Sequence, residues 1–473
     1  MNSSEIGPGP TAPLTRRTKF FYGLGDWGTS ASSTARNLFW FYFLISVVGI
    51  NPALAGTVAL VSKLWDGIND PLVGMLSDRL NTRWGRRRPL LLFSAVPFGF
   101  GFFLLFSVPP IESDVLLAVY YGVMFMLFDT LYTVLNVPYT ALAAELTQDY
   151  DERSNLAGWR TSVAIAASLA SAGLFKVLSE NVFGARFGGG LDGIIQGYGL
   201  TAAIWGVTFV IPPVLLFFAV KEPERPIDRT PLRFWATMGE AFRNRPFRIL
   251  AITYLLTFTT MEMVVAVLIW FLIYAVEVPS GFDSVAIAVL LGLALLSMPL
   301  IIRLMHRVGK RNTYLICIAF WGAADFLISL VPPGGYLWVL VLALVAGPAL
   351  GAAQAIPWAL LSDVIEEDEW QTGKRREGTY AGFMVFMRKL ASAGALFLVG
   401  NFLAMNGFVE ANGGSVVVEQ PESAITALRI LVGVIPPGIL AVAGVIMWRY
   451  PLNRAAHEEL RLRLASRGEQ ELV

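Results

Sequence analysis

The chain has 473 residues, 55% of them hydrophobic and only 15% charged, with a mean hydropathy of +0.59. Soluble domains carry about 25% charged residues, so the composition points to lipid, and a net charge of +1 offers no basic surface for nucleic acid. The single cysteine, Cys317, excludes a disulfide framework within the chain.

An apolar run of about 20 residues crosses a bilayer as a helix, and in lipid the backbone must satisfy its own hydrogen bonds. The pattern predicts twelve such helices. The first, 20–47, follows a polar stretch at 1–19 with no cleavage signal, so it reads as a retained helix and not a signal peptide. The second, 53–76, contains KLWDGINDP and leads into GMLSDRLNTRWGRRRPL. The third covers 89–108, and the fourth, 115–145, ends in NVPYTALAAELTQDYDERS. The fifth and sixth, 158–178 and 198–219, precede a polar linker at 221–247. The seventh, eighth and ninth cover 248–275, 283–304 and 314–332, with RLMHRVGKRNTYL between the last two. The tenth, 336–362, ends in AIPWALLSDVIEEDEWQTGKR; 379–403 and 424–448 complete the set before a tail at 450–473.

Basic residues set the orientation, because cytoplasmic loops are enriched in them. Arg16, Arg17 and Lys19, the arginines from Arg79 to Arg88, the linker, Arg307 to Arg311 and Lys374 to Arg376 all fall on one side. On the other, Arg186 is the only basic loop residue, so both termini are expected in the cytoplasm. The loops after the second and eighth helices correspond, as do the ends of the fourth and tenth. The offset is six helices each time. Two parallel six-helix halves, 20–220 and 248–449, would produce this repeat, with a solute site near the midplane between them. That is the major facilitator arrangement: all-α, twelve transmembrane helices in two bundles.

Ionisable residues within such helices are costly and mark ion or solute paths. Asp66, Asn69 and Asp70 lie at i, i+3 and i+4 on one face of the second helix. Two carboxylates this close cannot both stay charged without a counterion. Either a proton neutralises one, or a cation sits between them, and hard oxygen ligands suit an alkali or alkaline-earth ion. A structural ion pair with Lys63 or a basic residue of another helix is the plainer alternative. Arg36, Asp129, Arg160, Glu262, Asp325, Arg388, Lys389 and Arg429 also fall in apolar segments. Asp325 and Arg429 read as a helix-end or packing pair. Lys389, deep in the eleventh helix, reads as a coupling element that a cation displaces from its carboxylate partners.

KLWDGINDP followed by SDRLNTRWGRRRP resembles the melibiose-carrier family of glycoside–pentoside–hexuronide:cation symporters, and FYGLGDWGTS resembles that family's first helix. The resemblance implies a sodium site at Asp66, Asn69, Asp70 and Thr133, and a lysine at Lys389 that links cation and solute. It further implies solute contacts from Tyr132 and Arg160. The acids that hold sugar hydroxyls in that family are here Ser30 and Asn136, and its tryptophan on the fourth helix is Thr140. Ser30 and Asn136 retain hydrogen-bonding capacity for a neutral solute, while Arg160 with Arg388 suits an anion such as a hexuronate. Vertebrate lysolipid carriers resemble the same family, so an amphiphile is the alternative solute, and a non-transporting sensor the alternative role.

Asp78, Arg79, Arg86, Arg87 and Arg88 are expected to form a cytoplasmic charge latch with acids at 149–152 and 366–368, or else to enforce topology and bind anionic lipid heads. No nucleotide-binding, zinc-protease or serine-hydrolase motif occurs, and no histidine lies within a predicted helix to act as base. The expectation is therefore a monomeric carrier, not an enzyme, needing no cofactor beyond a coupling Na+ or H+.

Overall fold

The computed structural model describes residues 14–79, 82–85, 87–147, 150–220, 239, 242–279, 281–372, 377–410, 419–452 and 459. Among the described residues the regular structure is helical, apart from one isolated bridge between Thr82 and Gly85. It forms twelve helical segments. Segment α1 (16–46) consists of Arg16–Leu24, Asp26–Ala35, a π-helical turn at Arg36–Trp40, and Phe41–Ser46. Then come α2 (Pro52–Arg79), α3 (Arg88–Leu105), α4 (Asp114–Leu146), α5 (150–184, ending in a π-helical stretch Leu178–Gly184) and α6 (Gly190–Ala219). The remainder are α7 (Arg245–Ala275), α8 (282–308), α9 (Lys310–Ser329), α10 (Tyr336–Thr372), α11 (Glu377–Met405) and α12 (422–448).

Each segment overlaps one of the twelve predicted runs. Among the described residues, nine helices are long and apolar enough to cross a membrane, and ten if α8, bent by 43° before Met298, counts as one span. The two that fall short are α1, broken into short pieces and carrying Asp26 and Arg36, and α2, carrying Lys63, Asp66 and Asp70. Of the charges that lower their apolarity, Asp66 and Asp70 are those the sequence marks as a cation set. Several helices outrun their apolar cores: α10 continues through Glu366, Glu367 and Asp368 to Thr372, and α5 begins at Tyr150. Polar turns beyond the hydrocarbon still favour the helix, so hydropathy underestimates its length.

The chain divides into two compact units, one holding α1, α2 from Trp65 onward and α3 to α6, the other 51–64 of α2 with α7 to α12. Within the first, α3 and α6 cross where two glycines face each other: a Cβ on Gly99 would lie 2.4 Å from the Gly206 carbonyl oxygen. Small residues at crossings let membrane helices approach closely, since lipid supplies no hydrophobic drive for their association. Within the second, the start of α2 meets α11 the same way, and a Cβ on Gly400 would lie 2.3 Å from the Pro52 oxygen.

The six-helix repeat is visible in side chains too. In the first unit Arg88, at the start of α3, donates to the Phe217 carbonyl at the end of α6 and lies over its ring, 4.7 Å from the centroid. In the second, Arg311 at the start of α9 donates to the Trp448 carbonyl at the end of α12 and lies 5.8 Å from that ring. Each arginine caps a helix C-terminus whose last carbonyls lack intrahelical donors. Arg429 does the same at the ends of α7 and α9, donating to the carbonyls of Ala275 (2.8 Å), Ser329 (2.5 Å) and Val331 (3.0 Å). Its helix-end reading is the observed one, with backbone carbonyls and not Asp325 as acceptors.

Candidate functional site

The KLWDGINDP face of α2 packs along α4 through hydrogen bonds spaced a helical turn apart. Trp65 Nε1 donates to Thr130 Oγ1 at 3.1 Å, Asn69 Nδ2 to the Asp129 carbonyl at 3.5 Å, and Thr133 Oγ1 to Asp70 Oδ1 at 2.9 Å. Asp66, Asn69 and Thr133 are buried, and Asp70 is half-buried. The four residues of the expected cation set thus converge from two helices, with Thr133 and Asp70 in direct contact.

Behind this face lies a charge pair that the sequence left unassigned. Arg36 opens the π-helical turn of α1, and its Nη1 donates to Asp129 Oδ1 at 2.7 Å; both side chains are nearly fully buried. The guanidinium also lies over the rings of Phe125, Phe128 and Tyr132, at 5.0, 5.7 and 5.5 Å. Asp66 acts on it electrostatically. Asp129 and Asp66 thus act on one guanidinium, while Asp70 follows one turn further along α2 against Thr133. Among the described residues no three His, Cys, Asp or Glu side chains gather as a metal site. The set of carboxylates, amide and hydroxyl suits a hard monovalent ion held partly by neutral oxygens.

Of the residues expected to contact solute in the first unit, Arg160 lies at a second cluster. Arg160 on α5 donates from Nε to Asp26 Oδ2 at 2.8 Å, and Thr29 donates to Asp26 Oδ1 at 2.5 Å. The guanidinium sits 5.4 Å from the centroid of Tyr139, which stacks on Tyr22 at 5.0 Å and donates to its carbonyl. Asp26 is buried while Arg160 is about a third exposed, so the carboxylate anchors one edge of an accessible guanidinium. Sequence reasoning missed Asp26, although it stands within FYGLGDWGTS; its partner lies 134 positions away. Ser30 and Asn136 are half-buried on α1 and α4, while Tyr132 serves Arg36 as a ring platform. In the second unit, Lys389 is half-buried on α11, and the exposed Arg388 lies 5.9 Å from the Phe258 ring.

At the end assigned to the latch, Arg87 is buried and Arg88 holds the Phe217 carbonyl. Glu152 accepts from Lys19 at 2.9 Å and from the Leu14 amide at 3.1 Å. Lys310 pairs with Asp363 at 2.5 Å. Arg86 and the side chains of Asp78 and Arg79 lie outside the described residues, as do those of Asp149 and Asp151.

Residues 21–454 match the family described as MFS/sugar transport protein. The chain is 30% identical to an uncharacterized symporter of Synechocystis sp., covering 95% of this chain and 96% of the relative. It is 28% identical to a glucuronide carrier protein homolog of Escherichia coli, covering 97% and 98%. It is 25% identical to a sodium-dependent lysophosphatidylcholine symporter of Danio rerio, covering 97% and 90%. In fold it resembles the crystal structure of a nucleoside transporter, with a TM-score of 0.66 over 91% of this chain and 100% of that one, at 14% identity. Matched almost from end to end, the chain belongs to the MFS/sugar transport protein family and is an integral membrane transporter of the major facilitator fold, not an enzyme.

Proposed function

We propose that this chain is a cation-coupled symporter that moves a small polyhydroxylated solute, a sugar, glycoside or hexuronide, by alternating access. The observation that carries the reading is the Asp66, Asn69, Asp70 and Thr133 set, converging from α2 and α4 and joined by the Thr133–Asp70 hydrogen bond. Na+ or H+ occupies this set, and Lys389 is the internal cation that couples the ion to the solute. Arg160 and Tyr132, with Ser30, Asn136 and Arg388, contact the solute. Asp78, Arg79, Arg86, Arg87 and Arg88 act as the cytoplasmic latch. The carrier works as a monomer in the lipid of the cell membrane, with both termini cytoplasmic and no cofactor beyond the coupling ion.

Proteoliposome uptake tests this reading. Purified protein is offered p-nitrophenyl glycosides, glucuronides and lysophosphatidylcholine under imposed sodium or proton gradients, with Asp70→Asn alongside. Gradient-driven uptake of a glycoside or glucuronide, lost in the variant, is the expected outcome. Uptake insensitive to both gradients would reduce the protein to a uniporter and leave Asp66 and Asp70 as structural charges. The replacement of both sugar-binding acids by Ser30 and Asn136, with the lysophosphatidylcholine symporter among the relatives, favours a second reading as a carrier of amphiphiles. Uptake of lysophosphatidylcholine alone would select it.

A further inference from the structure

Glu262 has no part in the cation set, yet it sits where a charge is least tolerated. It lies 17 residues from Arg245 and 13 from Ala275 within α7, so about 25 and 20 Å from the ends at 1.5 Å per residue. A carboxylate at that depth cannot be left facing lipid; it turns toward protein or a water-filled cavity. It is half-buried, and its Oε2 accepts a hydrogen bond from Ser392 Oγ of α11 at 3.0 Å, with Ser392 itself buried. One turn earlier on both helices, Arg388 lies over Phe258, so α7 and α11 run side by side in parallel register. Glu262, Phe258 and Tyr254 follow at i, i−4 and i−8 on one face of α7, and Arg388 and Trp358 both lie beside the Tyr254 hydroxyl. Trp358 is 41% exposed and Arg388 is exposed as well.

A half-buried carboxylate deep in a membrane helix, steadied at one oxygen by a serine, has the chemistry of a hydroxyl-binding site. A carboxylate accepts about four hydrogen bonds, and the serine uses one. Adjacent hydroxyls of a pyranoside can donate to the rest as charge-assisted bonds, about twice as strong as neutral ones. We propose that Glu262, positioned by Ser392, is the residue that binds the hydroxyl groups of the solute. This deepens the symporter reading and rests on it.

The test is gradient-driven uptake of a p-nitrophenyl glycoside and its monodeoxy analogues by proteoliposomes holding wild type, Glu262→Gln, Glu262→Asp or Ser392→Ala. Glu262→Gln should raise KM at least tenfold with Vmax and the sodium or proton dependence little changed, and Ser392→Ala should raise it less. The penalty should vanish for the analogue lacking the hydroxyl that Glu262 binds. Unchanged KM in both Glu262 variants overturns the assignment and leaves the symporter standing. An equal loss for every analogue makes Glu262 structural and likewise overturns it. If wild type takes up no glycoside under either gradient, the symporter reading for sugars fails and the assignment fails with it.

Discussion

At the scale of single residues, what decides function is which buried charges have partners and what those partners leave free. Asp129 is held by Arg36, and the pair is dry, with 7% and 1% of the side chains exposed. Breaking a buried pair by neutralising one member costs about 3–5 kcal/mol, because the other charge remains buried without compensation. Asp129→Asn should therefore lower the melting temperature in detergent well below that of Asp70→Asn, read by fluorescence-detected size exclusion. Equal melting temperatures would mean that Arg36 finds another partner. Thr133 behaves differently. Its hydroxyl contributes a charge-assisted bond to Asp70, worth about 1.5–3 kcal/mol, so Thr133→Ala should weaken cation activation of uptake by about tenfold or more. Thr133→Ser should restore it; failure of the serine to do so would remove the hydroxyl from the site. The α2 half of this constellation was legible because helical spacing alone puts Asp66, Asn69 and Asp70 on one face. The Asp26–Arg160 and Arg36–Asp129 pairs were not, since their members lie 134 and 93 positions apart, and no local pattern encodes such contacts.

At the scale of elements, all twelve helices could be read from apolar runs, but their ends and crossings could not. Hydropathy reports where the bilayer is, whereas a helix stops where its backbone loses partners, which explains the long polar extension of α10. Crossings depend on where a missing Cβ is used, and the sequence holds 44 glycines that look alike. On α11 the structure separates two of them: a Cβ at Gly400 meets the Pro52 oxygen at 2.3 Å and Gly56 Cα at 3.0 Å, while one at Gly394 meets nothing within 4 Å. Backbone atoms cannot swing aside as a side-chain tip does. Gly400→Ala should force α2 and α11 apart, lowering the melting temperature and uptake rate together, whereas Gly394→Ala should leave both near wild type. Similar behaviour of the two variants would show that the α2–α11 crossing is loose enough to absorb a methyl group.

For the whole molecule, the repeat was legible as related loops and helix ends, and Arg88 on Phe217 and Arg311 on Trp448 give it a physical meaning. In each unit an arginine at the start of the third helix of six caps the end of the sixth. How a cation and a solute communicate through such a molecule is a matter of free energy. If the cation at Asp66, Asn69, Asp70 and Thr133 raises solute affinity by some factor, the solute must raise cation affinity by the same factor. A coupling of about 1–3 kcal/mol, corresponding to about 5–150-fold, is typical. Calorimetry of the purified transporter with a p-nitrophenyl glycoside, with and without saturating Na+, and with Na+ in the presence and absence of the glycoside, should return equal factors in the two directions. Asp70→Asn should bring both to one, because it removes a carboxylate of the proposed ion site. Lys389→Ala removes the proposed internal counter-ion and should strengthen cation binding while reducing the coupling factor. Unchanged coupling in that variant would separate Lys389 from the exchange, and would place the communication on the α2–α4 contacts instead.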